Sequence, residues 1–196
     1  MKSRIVFILL SFCLTLGILF SFACGNGQGE VKAFLSLRSS YKTLDQEEFK
    51  SLLKSYGFFD FRLNKSGNFQ GQYTLKTLEG DKVLADNRLN LMWHQSGSDL
   101  LIFKEAKKWI KNLNRSGYAG FNDWRLPTIE EAASLLNRKS VNRRYLNQLF
   151  SKEQISIWTG DSYSEYRIWA VNFNVGSTFK DGLNDANFVR PVRSSK

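Results

Sequence analysis

Residues 117–128, GYAGFNDWRLPT, predict more about the fold than any other part of the chain. Their Gly, Asn and Asp residues favour tight turns and left-handed backbone conformations. Trp124 is expected to be buried, and Pro127 cannot lie in a helix interior. Thr128 and Glu131 have the spacing of a helix N-cap with a capping box. The stretch, which we call the corner, therefore predicts a buried turn that leads directly into a helix.

Two charged residues flank the tryptophan of the corner, Asp123 on one side and Arg125 on the other. Because charges inside a protein are normally paired, we expect these two side chains to form an ion pair that braces the corner. Acid–base chemistry is the alternative interpretation. The corner is thus expected to organise the fold, and nothing in it resembles a catalytic centre.

The composition predicts one globular domain with a basic surface. With 196 residues, 42% of them apolar, the chain is long enough to bury an ample core. Its 28 basic and 18 acidic residues give a net charge of +10, which favours anionic partners or surfaces. We expect no nucleic-acid partner, because no recognition motif accompanies this charge.

The N-terminus predicts export. Residues 1–23 have the form of a signal peptide, with two basic residues, an uncharged apolar run and small residues at the end. The stretch SFAC resembles a bacterial lipobox, although Ser21 replaces the usual leucine, and Cys24 would then carry the lipid. Two alternatives stay open: cleavage after Ala23 that releases a soluble protein, and retention of the apolar run as a membrane anchor.

The rest of the chain is expected to divide into a linker and a domain. Residues 24–43 begin Gly-rich and predict a lipidated tether that would hold the domain away from a membrane surface. Residues 44–196 predict a single domain that opens with a short amphipathic helix over 45–56. The other cysteine, Cys13, lies in the signal peptide, so no disulfide is expected within the mature chain.

A longer helix is predicted over residues 100–113, because apolar side chains recur there every three or four positions. Basic side chains follow the same spacing on another face. These residues, which we call the basic stripe, are Lys104, Lys108, Lys111 and Arg115. A solvated helix surface with cations near its C-terminal end explains the stripe without any ligand. Binding of a polyanion is the alternative.

Aromatic residues towards the C-terminus form a second group of candidates. Trp158 and Trp169 lie in predicted strands and are expected in the core. Tyr163 and Tyr166 lie in the polar segment DSYSEY, where rings can remain exposed. These two tyrosines are therefore candidate ligand contacts.

The sequence offers little material for catalysis or metal binding. His94 is the only histidine, so we expect it to be structural and not part of a triad or a His-rich zinc site. Residues 181–187, DGLNDAN, could ligate calcium, but turn chemistry explains them and no coordination motif is complete. We expect no enzyme activity, no catalytic residue, no metal and no cofactor.

The order of several short motifs resembles one bacterial family. These motifs are LMW, then NLNRSGYAGFNDWRLPTIEEAASLL, then IWTG, WAVNF and FVRPVRS. They resemble the family of C-terminal domains of the Legionella collagen-like adhesin, the Lcl C-terminal-domain family, over residues 58–193. Relatives often read TGLMW where this chain has Asn90 in place of the glycine. Pro191 is unusual for the family and is expected at the end of a strand.

The resemblance implies an α+β, C-type-lectin-like fold, in which two main helices flank small, mostly antiparallel sheets with long loops. In the collagen-like adhesin, this type of domain is associated with sulfated glycosaminoglycans and host matrix. The collagen repeat itself is absent from this chain. We therefore expect an exported lipoprotein of the cell envelope that binds an anionic glycan or matrix component in an adhesion-like role. The alternative is an envelope assembly protein that contacts a protein partner.

Overall fold

Three small sheets and a few helices make up residues 35–195, the part of the chain that the computed structural model describes. The helices of these residues are α1 (Gln46–Tyr56), α2 (Phe103–Ser116), α3 (Ile129–Ala133) and a short 3-10 turn (Tyr118–Gly120). The strands are β1 (Tyr73–Leu78), β2 (Asp81–Asp86), β3 (Leu91–His94), β4 (Leu101–Ile102), β5 (Ser156–Ser164), β6 (Arg167–Asn172), β7 (Ser177–Gly182), β8 (Ala186–Asn187) and β9 (Val192–Ser194).

All the strand pairs of the three sheets are antiparallel. The first sheet has the order β1-β2-β3-β9, the second pairs β4 with β8, and the third has the order β5-β6-β7. A large apolar core runs between the first and third sheets and includes Trp93 and Trp169. The prediction of an α+β fold with small antiparallel sheets is confirmed.

The predicted helix over residues 100–113 is wrong at its start. Leu101 and Ile102 pair with β8 as a short strand, and the helix begins at Phe103. Leu100, the first apolar residue of the predicted helix, is 55% exposed. Leu101 and Ile102 are engaged in a sheet and Leu100 lies outside both elements, so the apolar residues at this end of the segment do not form part of a helix face.

The helix predicted after the corner is present but short. The Thr128 side chain accepts a hydrogen bond from the Glu131 amide at 3.3 Å, and the Glu131 carboxylate accepts one from the Thr128 amide at 2.8 Å. This capping box confirms the prediction. The helix nevertheless ends after Ala133, and a helix of five residues depends on its tertiary contacts for stability.

Trp124 lies at the centre of the corner and is 2% exposed, as predicted. Asn114, near the end of α2, holds its backbone from both sides: Oδ1 accepts from the Trp124 amide and Nδ2 donates to the Trp124 carbonyl, each at 2.8 Å. The indole Nε1 donates to the carbonyl of Tyr118 at 3.0 Å. The corner is thus fixed to α2 by hydrogen bonds and not only by burial.

The predicted ion pair between Asp123 and Arg125 is wrong. Arg125 instead binds both oxygens of Glu131, at 2.6 and 2.7 Å, and Asp123 binds Arg193 at 2.6 Å. The backbone of Arg125 pairs with Val192, which brings Arg193 beside Asp123. The partners are therefore set by which strands and helices the fold brings to the corner, and not by proximity in the sequence.

Residues 35–43, which the sequence assigns to the linker, lie against the domain, and we call them the N-terminal strap. Leu35 and Leu37 pack on the large core. The guanidinium of Arg38 binds two buried carboxylates, those of Glu130 and Asp161. Residues 35–43 are therefore packed against the domain. The rest of the predicted linker, the signal peptide and Cys24 lie outside the described residues.

The two ion pairs of the corner make a matched test of this geometry. We expect Glu131→Ala to lower the free energy of unfolding by about 3–5 kcal/mol, since it leaves the half-buried Arg125 uncompensated and removes the capping box. Asp123→Ala should lower it by less than about 1 kcal/mol, because the Asp123 side chain is largely exposed. Urea denaturation measures both values. A larger loss for Asp123→Ala would contradict the observed pairing.

Candidate functional site

Five cations lie on one exposed face of α2, which we call the basic face. They are Lys104, Lys107, Lys108, Lys111 and Arg115. Residues three and four apart are neighbours on a helix, so the spacing places all five side chains close together. Within residues 35–195, none of the five forms an ion pair with an acidic side chain. The basic face therefore keeps its full positive charge.

Helix stability does not account for the basic face. Arg115 lies in the last turn, where a cation interacts favourably with the helix dipole. Lys104, however, lies in the first turn, where the dipole is positive and a cation is unfavourable by about 0.3–1 kcal/mol. Ile102 precedes the helix and provides no side-chain cap. Lys104 thus lies at the unfavourable end of the helix dipole and has no ion-pair partner among the described residues.

A cavity of about 410 Å³ lies alongside the basic face, and we call it the α2 groove. Its apolar lining comes from Phe103, Ile110 and Leu126. Its polar lining comes from Tyr41, Lys107, Lys111 and Arg125, and Gly160 completes it. An apolar cavity with a few converging polar groups has the general composition of a small-ligand site.

Tyr41 of the N-terminal strap is held rigidly at the groove. Its hydroxyl donates a hydrogen bond to the carbonyl of Leu126 at 3.0 Å. Its ring lies so close to Gly160 that a Cβ there would be 2.1 Å from the nearest ring atom. The Tyr41 side chain nevertheless remains 47% exposed. The groove thus contains an immobilised aromatic ring with a surface open to solvent.

The cations of the groove differ in whether an acidic side chain neutralises them. Arg125 is held by Glu131, which neutralises its charge. The Nζ of Lys107 lies 4.8 Å above the ring of Phe103, a cation–π contact that leaves the ammonium exposed. Lys111 is also exposed. The two lysines therefore supply the uncompensated positive charge of the groove.

The sequence profile of the Lcl C-terminal domain matches residues 82–193. That range is more than half of the chain and includes α2, the corner, α3 and most of the last strand. The chain belongs to the Lcl C-terminal domain family. A search of curated proteins gave no match. The family match begins after Tyr41, so the Lcl C-terminal domain proper contributes most of the groove and the N-terminal strap contributes one wall.

Sequence reasoning found only part of this site. Of the groove residues, only Lys111 was a predicted ligand contact. Lys107 was missed although it lies three positions after Lys104 and four before Lys111, which is the spacing of one helix face. Tyr41 was missed because the segment was assigned to a linker. The apolar residues Leu35 and Leu37 were the available signal that this segment packs against the Lcl C-terminal domain.

The two predicted tyrosine contacts do not join the groove. Tyr163 packs edge-on against Trp169, with ring centroids 5.6 Å apart, and the Nζ of Lys180 lies 4.4 Å above its ring. Tyr166 is 74% exposed at the turn between β5 and β6. Neither lines the groove. Trp158 and Trp169 are both buried in the Lcl C-terminal domain, as predicted.

The polar loop after β7 uses its oxygens within the protein. Asp185 accepts a hydrogen bond from the amide of Gly182, and Asp181 accepts one from the side-chain amide of Asn187, each at 2.8 Å. Among residues 35–195, no group of three His, Cys, Asp or Glu side chains is arranged to hold a metal ion. The same residues contain no helix long and apolar enough to cross a bilayer.

His94 lies in an aromatic cluster of the Lcl C-terminal domain and away from the groove lining. Its ring is stacked on Tyr118, with centroids 4.1 Å apart and planes within 9°. Trp109 and Trp124 are the other rings around it. Its Nδ1 accepts a hydrogen bond from the amide of Ser96 at 3.2 Å. Burial, reinforced by the positive charge of Arg190, lowers the pKa of His94 to about 4.

The lowered pKa of His94 predicts a loss of stability in mild acid. Below its ordinary pKa of 6.5, the imidazole binds a proton in the unfolded chain but not in the folded one. The free energy of unfolding should therefore fall as the pH drops from 6.5 to about 4, by up to about 3 kcal/mol. In His94→Phe, this part of the pH dependence should disappear. Urea denaturation at several pH values compares the two proteins, and identical curves would contradict the prediction.

Proposed function

We propose that this chain is an exported, lipid-anchored protein of the cell envelope, and that its domain binds anionic glycans on the basic face and in the α2 groove. The observation that carries the proposal is the uncompensated charge of five cations on α2, directly beside an apolar cavity. Membership of the Lcl C-terminal domain family indicates an adhesin-like protein that acts outside the cell or in its envelope. Cys24 is the proposed lipid attachment site, because it follows the signal-like residues 1–23.

The dimensions of the basic face fit an extended ligand. Lys104 and Arg115 are separated by eleven helix steps, or about 16 Å along the axis. Each cation is exposed to water, so one contact with a sulfate or carboxylate contributes little by itself. A polyanion that contacts several of the cations at once gains from all of them, and the field of the array also attracts it from a distance. Such binding weakens as salt is added.

The groove adds features that a purely electrostatic surface lacks. Its apolar lining can contact the C–H faces of sugar rings, while the lysines at its edge can bind their anionic substituents. The proposal includes a C-type-lectin-like fold for the domain, and the two predicted main helices, α2 and the short α3, beside small antiparallel sheets support it. The long irregular segment between α3 and β5 matches the extended loops of that fold.

The proposal is tested by charge reversal on the basic face. In the chain from residue 25 onward, the triple variant Lys104→Glu/Lys108→Glu/Lys111→Glu should bind heparin at least about tenfold more weakly at low salt, since three favourable contacts become repulsive. Its affinity should also depend less steeply on salt. Isothermal titration calorimetry at two salt concentrations measures both effects.

A matched control separates a defined surface from net charge. Arg138, Lys139 and Arg143 are also exposed, and their reversal to Glu changes the net charge equally. This control should bind heparin within about twofold of the unchanged chain, apart from weak long-range effects. An equal loss in both triple variants would show that only total charge matters. Capture of an envelope protein without any dependence on glycan would instead favour the assembly role.

A further inference from the structure

We infer that Tyr41 is a ligand-binding residue whose ring stacks on a sugar ring of the anionic glycan, so that the N-terminal strap completes the binding site. This inference rests on the proposed function and deepens it. It assigns the recognition of the sugar ring to Tyr41 and the recognition of its sulfate or carboxylate to Lys107 and Lys111, which line the same groove.

The geometry of Tyr41 suits stacking. One part of the ring packs on Gly160, the hydroxyl is bound to the Leu126 carbonyl, and about half of the side chain still faces solvent. A ring already held in place loses little conformational entropy when a ligand binds. Aromatic side chains that are fixed and exposed are the usual means by which proteins obtain contact area at low entropic cost.

The charges around Tyr41 select the ligand. Arg125 is neutralised by Glu131, whereas Lys107 and Lys111 have no acidic partner among the described residues. A neutral sugar would use the ring alone and leave both ammonium groups unused. A sugar with a sulfate or carboxylate uses the ring and the lysines together, because charge-assisted hydrogen bonds are the stronger kind. The groove thus favours acidic sugars over neutral ones.

Ion pairs hold the N-terminal strap, which carries Tyr41, against the domain. Arg38 donates to Asp161 at 2.6 and 2.7 Å and also binds both oxygens of Glu130. The side chains of Asp161 and Glu130 are buried, so detaching the strap would leave two buried carboxylates without their cation. The parallel bridge between Thr43 and Ser162 fixes the strap on the other side of Tyr41. These contacts on both sides of Tyr41 hold its ring in the groove of the folded chain.

The test uses three variants of the chain from residue 25 onward, with a sulfated heparin oligosaccharide as the probe. Tyr41→Ala should bind about tenfold more weakly, because the stacking surface is removed. Tyr41→Phe keeps the ring and should stay within about twofold. Gly160→Ala keeps the tyrosine but displaces its ring, and should also weaken binding. Titration calorimetry gives the affinities, and circular dichroism checks that each variant is folded.

The salt dependence distinguishes this inference from the proposed function. Tyr41→Ala removes no charge, so the slope of log affinity against log salt should remain that of the unchanged chain, with only the intercept lowered. If Tyr41→Ala and Gly160→Ala bind as tightly as the unchanged chain, Tyr41 is not a ligand contact, while the proposed function still stands. An unchanged chain that fails to bind the probe at low salt overturns both.

Discussion

Three buried carboxylates meet at the first turn of α3, and two arginines from other parts of the chain neutralise them. Glu130 and Asp161 share Arg38, while Glu131 binds Arg125. Asp161 also accepts a hydrogen bond from the amide of Ile129 at 2.7 Å, so it acts as an additional cap on this short helix. A buried carboxylate without a cation is strongly unfavourable, and this constraint ties the N-terminal strap, the corner, α3 and β5 together. The groove depends on it as well, because Tyr41 and Arg125 both lie next to these pairs.

The sequence predicts a structural feature correctly where neighbouring residues alone determine that feature. The capping box of Thr128 and Glu131 spans one helical turn, and the burial of Trp124 follows from its size and its turn-rich surroundings. The α+β class follows from short strands and amphipathic helices, each recognisable by its period. The sequence does not predict which charged residues form ion pairs, because distant segments supply the partners. Arg125 has Asp123 as its neighbour in sequence, but the pairing of its backbone with Val192 decides which acid it meets.

In the candidate site, too, the sequence predicts the features set by neighbouring residues and not those set by distant segments. The basic stripe was visible as a helical repeat, and the exposure of Lys104, Lys108, Lys111 and Arg115 agrees with that prediction. The groove beside it was not predictable, because its walls come from segments far apart in sequence. Tyr41 meets Leu126 and Gly160 only after the strap has docked. The Gly-rich start of residues 24–43 predicts a flexible tether. The second half of that segment nevertheless contains Leu35 and Leu37, which pack on the core, and Arg38, which binds two buried carboxylates.

The position of β9 constrains when this protein can fold. Val192–Ser194 forms an edge of the first sheet by pairing with β3, about one hundred residues earlier, and Val192 also holds the backbone of the corner. At the other end, the Arg38 contacts join residues that are 92 and 123 positions apart. Each closure must wait until both of its distant segments are available, so neither can form from local contacts alone. Contacts of such long sequence separation are slow to form, so both closures are expected late in folding.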